Sequence, residues 1–262
     1  MEDIWDKSIN RAQELASKRR EAGELLAFYA ILLKSQKGIY EYLRSRKGWL
    51  PSGSLEQDLS VLRSMMPRLL DAVESSGPAA LAEQARSLSK ATGANLDQML
   101  IEYWRAPSDM HFFAKAFLQP YARWLAETGA APADRNLGGG ENCCPFCQGK
   151  PQLAFLQSKE SSSEAGTRDM LCSMCLTAWP FRRVVCANCG EEDPERLAYF
   201  HSPEYDYIRV DACDTCKYYI KSIDLTRFGF AVPLVDEIAA VPLDLWARER
   251  GYTKIELNLI GV

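Results

Sequence analysis

Cys144-Pro145-Phe146-Cys147, Cys172-Ser173-Met174-Cys175, Cys186-Ala187-Asn188-Cys189 and Cys213-Asp214-Thr215-Cys216 place four Cys-x-x-Cys pairs within 73 residues. Eight of the nine cysteines lie in these pairs, which points to metal chelation. Two intervening residues let both thiolates of a pair reach one ion, whereas a structural disulfide is poorly served by that spacing. Cys143 is left over and carries no sign of a lowered pKa.

The distances between the pairs reveal a repeat. Twenty-four residues separate Cys147 from Cys172 and 23 separate Cys189 from Cys213, but only 10 separate Cys175 from Cys186. First cysteines of matching pairs are therefore 42 and 41 residues apart, as expected for one unit of knuckle, spacer and knuckle used twice. Each spacer is patterned as a hairpin. Leu153–Leu156 leads into a polar turn at Ser158–Ser163 and Gly166–Leu171 returns; Leu197–Phe200 leads into His201–Asp206 and Tyr207–Val210 returns. One tight turn presents two thiolates, and the hairpin brings back the turn that supplies two more. One ion is thus assigned to Cys144, Cys147, Cys172 and Cys175, and another to Cys186, Cys189, Cys213 and Cys216. A cross-braced arrangement, with first paired to third and second to fourth, is the alternative. Gly149 and Gly190, just after the first knuckle of each unit, are expected to take positive φ and turn backbone N–H groups towards the thiolates. Spacing does not choose between iron and zinc, since both accept four thiolates in a tetrahedron.

Outward from the cysteines, the pattern changes. Residues 1–130 carry helical periodicity and read as an all-α bundle of about six helices. Ser54-Leu55-Glu56-Gln57 reads as a capping box, and Pro67 and Pro120 are each expected to interrupt a helix. The aromatic run His111-Phe112-Phe113, with Phe117, Tyr121 and Trp124, reads as bundle core. Residues 131–142, rich in glycine and proline, read as a linker. Residues 143–180 and 181–221 form the two modules, and 222–262 is a tail expected to pack on the modules or the bundle. Asp236 and Glu237 in that tail read as a solvated acidic face. The fold class is therefore multi-domain α plus small β: a helical bundle, then two tandem rubredoxin-like, or zinc-ribbon-like, four-cysteine modules.

Composition narrows the function. Hydrophobic residues make up 47% and charged residues 25% of the 262, as in ordinary soluble globular proteins. Residues 141–221 hold 9 Lys/Arg against 12 Asp/Glu, net −3, and the chain is −4 overall. A phosphate-binding ribbon needs the opposite sign, so nucleic acid is not an expected partner. No apolar run is long enough for a membrane span, and Met1–Trp5 has no export-signal pattern, so reduced thiols in the cytoplasm are expected. All eight ligands are spent on closed four-thiol sites, His111 and His201 are the only histidines, and no nucleophile or phosphate-loop motif is present. An enzyme is not expected.

The stretch from Cys144 onward resembles the FdhE family of formate dehydrogenase accessory proteins. The residues that carry the resemblance are Cys144-Pro145-Phe146-Cys147, Gly166-Thr167-Arg168-Asp169-Met170-Leu171-Cys172-Ser173-Met174-Cys175, and Trp179 with Arg183 before Cys186-Ala187-Asn188-Cys189-Gly190. They continue through Asp211-Ala212-Cys213-Asp214-Thr215-Cys216-Lys217-Tyr218-Tyr219-Ile220-Lys221 and, in the tail, Leu234–Ile238, Leu243–Ala247 and Gly251-Tyr252. The resemblance implies a cytoplasmic assembly factor that binds the catalytic subunit of a respiratory formate dehydrogenase before its export. It also implies metal, iron or zinc, at the paired cysteines; self-association is compatible with it. A rubredoxin-like iron electron carrier is the alternative function.

Overall fold

Helical periodicity in the first half yields seven helices in the computed structural model, which describes residues 4–108, 110–134, 139–158 and 167–262. They are α1 (Ile4–Lys18), α2 (Gly23–Ser45), α3 (Leu55–Leu62), α4 (Met66–Ser76), α5 (Ala79–Ser89), α6 (Gly93–Arg105) and α7 (Phe112–Thr128). Pro67 splits α3 from α4 as expected, because it fits the first turn of a helix, where its missing N–H has no partner to lose. Pro120 does not interrupt α7, contrary to the reading above. A proline inside a helix strands the carbonyl one turn back, here Ala116. Gln36 of α2 supplies the missing donor: its Nε2 lies 2.9 Å from Ala116 O and 3.0 Å from Gln119 Oε1. Gln36→Leu is expected to destabilise the protein by about 1–3 kcal/mol, the cost of a buried acceptor left unmade. A shift of the urea midpoint measures it, and no shift would show that α7 tolerates Pro120 unaided.

The start of α3 is as read, but its cap is different. Ser54 makes no side-chain cap to its own helix. Asp134, from the Gly/Pro-rich stretch after α7, accepts the Leu55 N–H at 2.8 Å and also the Trp104 indole N–H at 2.8 Å. A carboxylate at a helix N-terminus satisfies an orphan donor and complements the dipole. Ala133 N–H adds a bond to Gly53 O at 2.9 Å. The part of the expected linker over 131–134 is therefore stitched to the bundle; 135–138 lie outside the described residues. The aromatic run packs as expected: Phe113, Phe117 and Tyr121 are buried, with Phe112 and Trp124 against them.

The cysteine region forms β1 (Pro151–Gln157), β2 (Thr167–Cys172), β3 (Ala178–Phe181), β4 (Leu197–His201), β5 (Ile208–Cys213) and β6 (Tyr218–Asp224). Both expected hairpins are present, β1 with β2 and β4 with β5. The first polar turn falls mostly on residues 159–166, outside those described. The two units do not sit side by side as separate sheets. Ala154, Phe155 and Leu156 of β1 pair in parallel with Ser222, Ile223 and Asp224 of β6, giving one sheet in the order β3-β2-β1-β6-β5-β4.

The tail supplies α8 (Pro233–Ala239), α9 (Val241–Glu249) and β7 (Thr253–Lys254), which pairs with β6. It packs on the sheet and the bundle together, and the apolar core runs continuously from Leu32 and Phe117 to Leu153, Ile223 and Ile238. Asp236 and Glu237 are fully buried, not solvated. Asp236 receives both arms of Arg11 from α1, at 3.0 and 2.6 Å, together with the Tyr207 hydroxyl and the Val232 N–H. Glu237 meets Lys254 and Lys221, and accepts the Asn258 amide at 2.9 Å. Charges so placed are tolerated only because each has a partner.

Candidate metal centres

Four turns of one design position the cysteines. In each, the residue directly after the second cysteine takes positive φ: Gln148 at 58°, Leu176 at 56°, Gly190 at 78° and Lys217 at 60°. Its N–H then closes the turn onto the first cysteine, as in Gln148 to Cys144 O at 2.8 Å, Gly190 to Cys186 O at 3.1 Å and Lys217 to Cys213 O at 2.8 Å. The expectation for Gly190 holds. That for Gly149 does not, because Gln148 takes the positive φ instead. A non-glycine residue there costs about 1 kcal/mol or more, which the ligand geometry must offset. Gly149 matters for another reason: a Cβ on it would lie 3.0 Å from Cys172 Sγ and 3.3 Å from Cys147 Sγ. Glycine leaves that space to the sulfurs.

The thiols gather in two sets of four, Cys144/Cys147/Cys172/Cys175 and Cys186/Cys189/Cys213/Cys216, with sulfurs within 4.8 Å of one another in each. Consecutive pairs meet, and the cross-braced arrangement does not form. Cross-knuckle distances are 3.5 Å for Cys144–Cys175 and 3.4 Å for Cys147–Cys172, then 3.7 Å for Cys186–Cys216 and 3.8 Å for Cys189–Cys213. A tetrahedron with metal–sulfur bonds of about 2.3 Å has edges of about 3.8 Å, so both sets could hold an ion with little adjustment. Backbone donors already face the sulfurs: Met174 N–H lies 3.4 Å from Cys172 Sγ and Asn188 N–H 3.4 Å from Cys186 Sγ. The Thr177 hydroxyl is 3.1 Å from Cys175 Sγ.

Burial also sets what a bound cation would have to displace. Burial pushes the Cys172 thiol well up, and Cys186 likewise. Four thiolates do not persist in such a setting unless a metal replaces their protons. Cys143, outside both sets, is half-buried, and burial raises it too. His111 sits beside Ser108, its Nδ1 2.9 Å from the hydroxyl, and His201 is exposed on β4; neither belongs to a cluster among the described residues.

The two clusters differ in their surroundings. All four thiols of the first are buried beneath α7, where Gln119 Nε2 donates to Ser173 O at 2.9 Å and Arg123 Nη1 to Leu176 O at 3.1 Å. Gln36, which satisfies the carbonyl freed by Pro120, also donates to Gln119, and Gln119 carries the chain of hydrogen bonds on to the second knuckle. In the other cluster Cys189 is exposed and Cys216 half-buried. If both clusters are loaded, a competing chelator is expected to remove metal in two phases, the exposed cluster first. Absorbance of the chelator complex followed in time measures this, and a single phase would contradict the asymmetry. The residues that hold the knuckles from afar, Gln36, Gln119 and Arg123, carried no local signal in the sequence. The positive-φ position did: it follows from aligning the four pairs.

Comparison with known proteins gives the chain's relatives. A family model described as FdhE, C-terminal domain, matches residues 184–260. An FdhE homolog from Aquifex aeolicus is 32% identical, over 97% of this chain and 94% of its own. The chain belongs to the FdhE family. A homolog from Haemophilus influenzae is 25% identical over 98% of this chain and 87% of its own. In fold, the chain resembles the crystal structure of the FdhE protein from Pseudomonas aeruginosa, with a TM-score of 0.70 and 22% identity over 98% of this chain and 95% of that one. FdhE relatives thus match over nearly the whole chain, helical half included. No helix among the described residues is long and apolar enough to cross a membrane.

Proposed function

We propose that this chain is a non-enzymatic accessory protein of formate dehydrogenase that binds the catalytic subunit in the cytoplasm and assists its maturation before export. Cys144, Cys147, Cys172 and Cys175 hold one ion, and Cys186, Cys189, Cys213 and Cys216 a second, each iron or zinc. The observation that carries this reading is a pair of four-thiol clusters in a chain related to FdhE proteins along its length. With every ligand position taken by sulfur, neither ion has an open position for water or substrate, so a structural role follows more readily than hydrolysis. The first cluster joins α7 to the sheet; the second holds the edge of the sheet around β4 and β5.

Co-purification with the formate dehydrogenase catalytic subunit, with and without air, tests the reading. Recovery of the subunit in either condition is expected, and failure in both contradicts it.

One observation favours a second reading, that of a rubredoxin-like electron carrier. Cys189 is open to solvent and Cys216 partly so, which gives a partner's redox centre close access to one ion. This requires iron in the second cluster. Zinc alone in protein purified without air rules it out.

A further inference from the structure

A cavity of about 300 Å³ lies beside the second cluster, lined by residues of β4, β5 and β6 and by the segment from Arg183 to Ala187. Three guanidiniums, from Arg168, Arg183 and Arg209, line it together with one carboxylate, Asp211. That carboxylate is already engaged: Arg168 Nη2 donates to it at 3.2 Å, Ser222 Oγ at 2.5 Å, and Arg209 Nε lies 2.8 Å away without hydrogen-bond alignment. Arg168 is only 3% exposed, reaches across from β2, and gives Nη1 to Val185 O beside Cys186 at 3.1 Å; its Nε has no partner. Arg183 is exposed and makes no ion pair or hydrogen bond among the described residues. Arg168 and Arg209 both pair with Asp211, and a divalent ion in the second cluster, formally −2, balances the charge that remains, so Arg183 is the guanidinium of the three left to meet an incoming acid.

The mouth of this cavity is apolar. Val184 and Tyr199, two of the few large hydrophobic side chains left exposed, both border it. Tyr199 belongs to β4, which ends the sheet and has one edge unpaired among the described residues. The cavity lies at the lower end of the range for small-molecule sites, about 300–1,000 Å³, and suits a side chain better than a whole ligand. An extended peptide adds to a free strand edge through its backbone and places alternate side chains in adjoining pockets.

We propose that β4 and this cavity form a docking site for an extended peptide segment with an acidic side chain beside apolar ones. The segment pairs along Leu197–His201, its apolar side chains rest on Val184 and Tyr199, and its carboxylate meets the Arg183 guanidinium at the cavity. Charge-assisted guanidinium–carboxylate bonds supply selectivity for the acid. The inference does not depend on which client the protein serves.

The test is fluorescence anisotropy of the metal-loaded full chain with a rhodamine-labelled, N-acetylated octapeptide of alternating valine and threonine carrying one central glutamate. Saturable binding is expected, at least tenfold weaker when glutamine replaces the glutamate. Arg183→Glu and Tyr199→Ser, both at exposed positions and so compatible with folding, are each expected to weaken it at least tenfold. Absence of binding, equal affinity for the glutamine peptide, or unchanged affinity in both variants overturns the proposal. So does binding of benzoate, followed by its own NMR line broadening, in a protein that ignores the peptide, because the cavity would then serve a free carboxylate.

Discussion

Cys172→Ser is expected to remove one metal ion per chain and to destabilise the whole protein by about 4 kcal/mol or more, the range for losing a structural metal from a core. Cys172 is fully buried, ends β2, and shares its knuckle with Ser173, whose carbonyl is tied to α7 through Gln119. Losing the ion there leaves three crowded thiols and a hydroxyl under the helices. Cys216→Ser makes the same chemical change at the half-exposed cluster and is also expected to release one ion. Its effect on stability should be smaller and confined to β4, β5 and their turns, because among the described residues the hydrogen bonds of that knuckle go to Arg196, Glu191 and Tyr252 and not to the bundle. Elemental analysis paired with urea unfolding by circular dichroism measures both variants. Equal destabilisation by the two would contradict the view that only the first cluster binds the bundle to the sheet.

Glu237→Gln is expected to cost about 3–5 kcal/mol, the usual penalty for removing one partner of a buried charge pair. Glu237 and Asp244 together neutralise Lys221 and Lys254, and all four are buried at the meeting of α8, α9, β6 and β7. With the Glu237 charge gone, two ammonium groups share one carboxylate. Changing Lys254 to Met in the same protein should restore much of the loss, since each remaining charge is again paired. A loss below about 1 kcal/mol for the single variant, or none recovered in the double, would refute this account. The same network sets a pH dependence. Burial alone would push Asp244 up, but Lys221 and Lys254 outweigh it and hold the carboxyl below its ordinary value. Its contribution is therefore complete above about pH 4, the value for an unfolded aspartate, and is lost only as the pH falls through the lower folded value.

The cysteines and the helices were readable in the sequence because their signals are local. Knuckle spacing and the hairpin between knuckles need nothing from elsewhere, so both four-thiol groupings and all four hairpin strands could be written down in advance. Where the reading failed, the deciding partner was far away in the chain. Pro120 looks like an interruption until Gln36, more than eighty residues earlier, supplies its missing donor. Ser54 looks like a cap until Asp134 takes that place. Asp236 and Glu237 look like a wet acidic face because their partners, Arg11, Lys221 and Lys254, are distributed over the whole chain. The fusion of the two modules was invisible for a similar reason: the pairing of β1 with β6 joins strands separated by four others in the sequence, and apolar runs do not state which neighbour they take. Gly149 was misread because glycine was expected to serve a dihedral angle when it serves the space around two sulfurs.

Metal counting tests the account most directly. Iron and zinc measured together on protein purified without air should sum to two ions per chain, one for each cluster. Cys172→Ser and Cys216→Ser should each retain one, and the double variant none. A chain whose metal content stays at zero under these conditions, or a single substitution that empties both clusters, would contradict two independent four-cysteine centres.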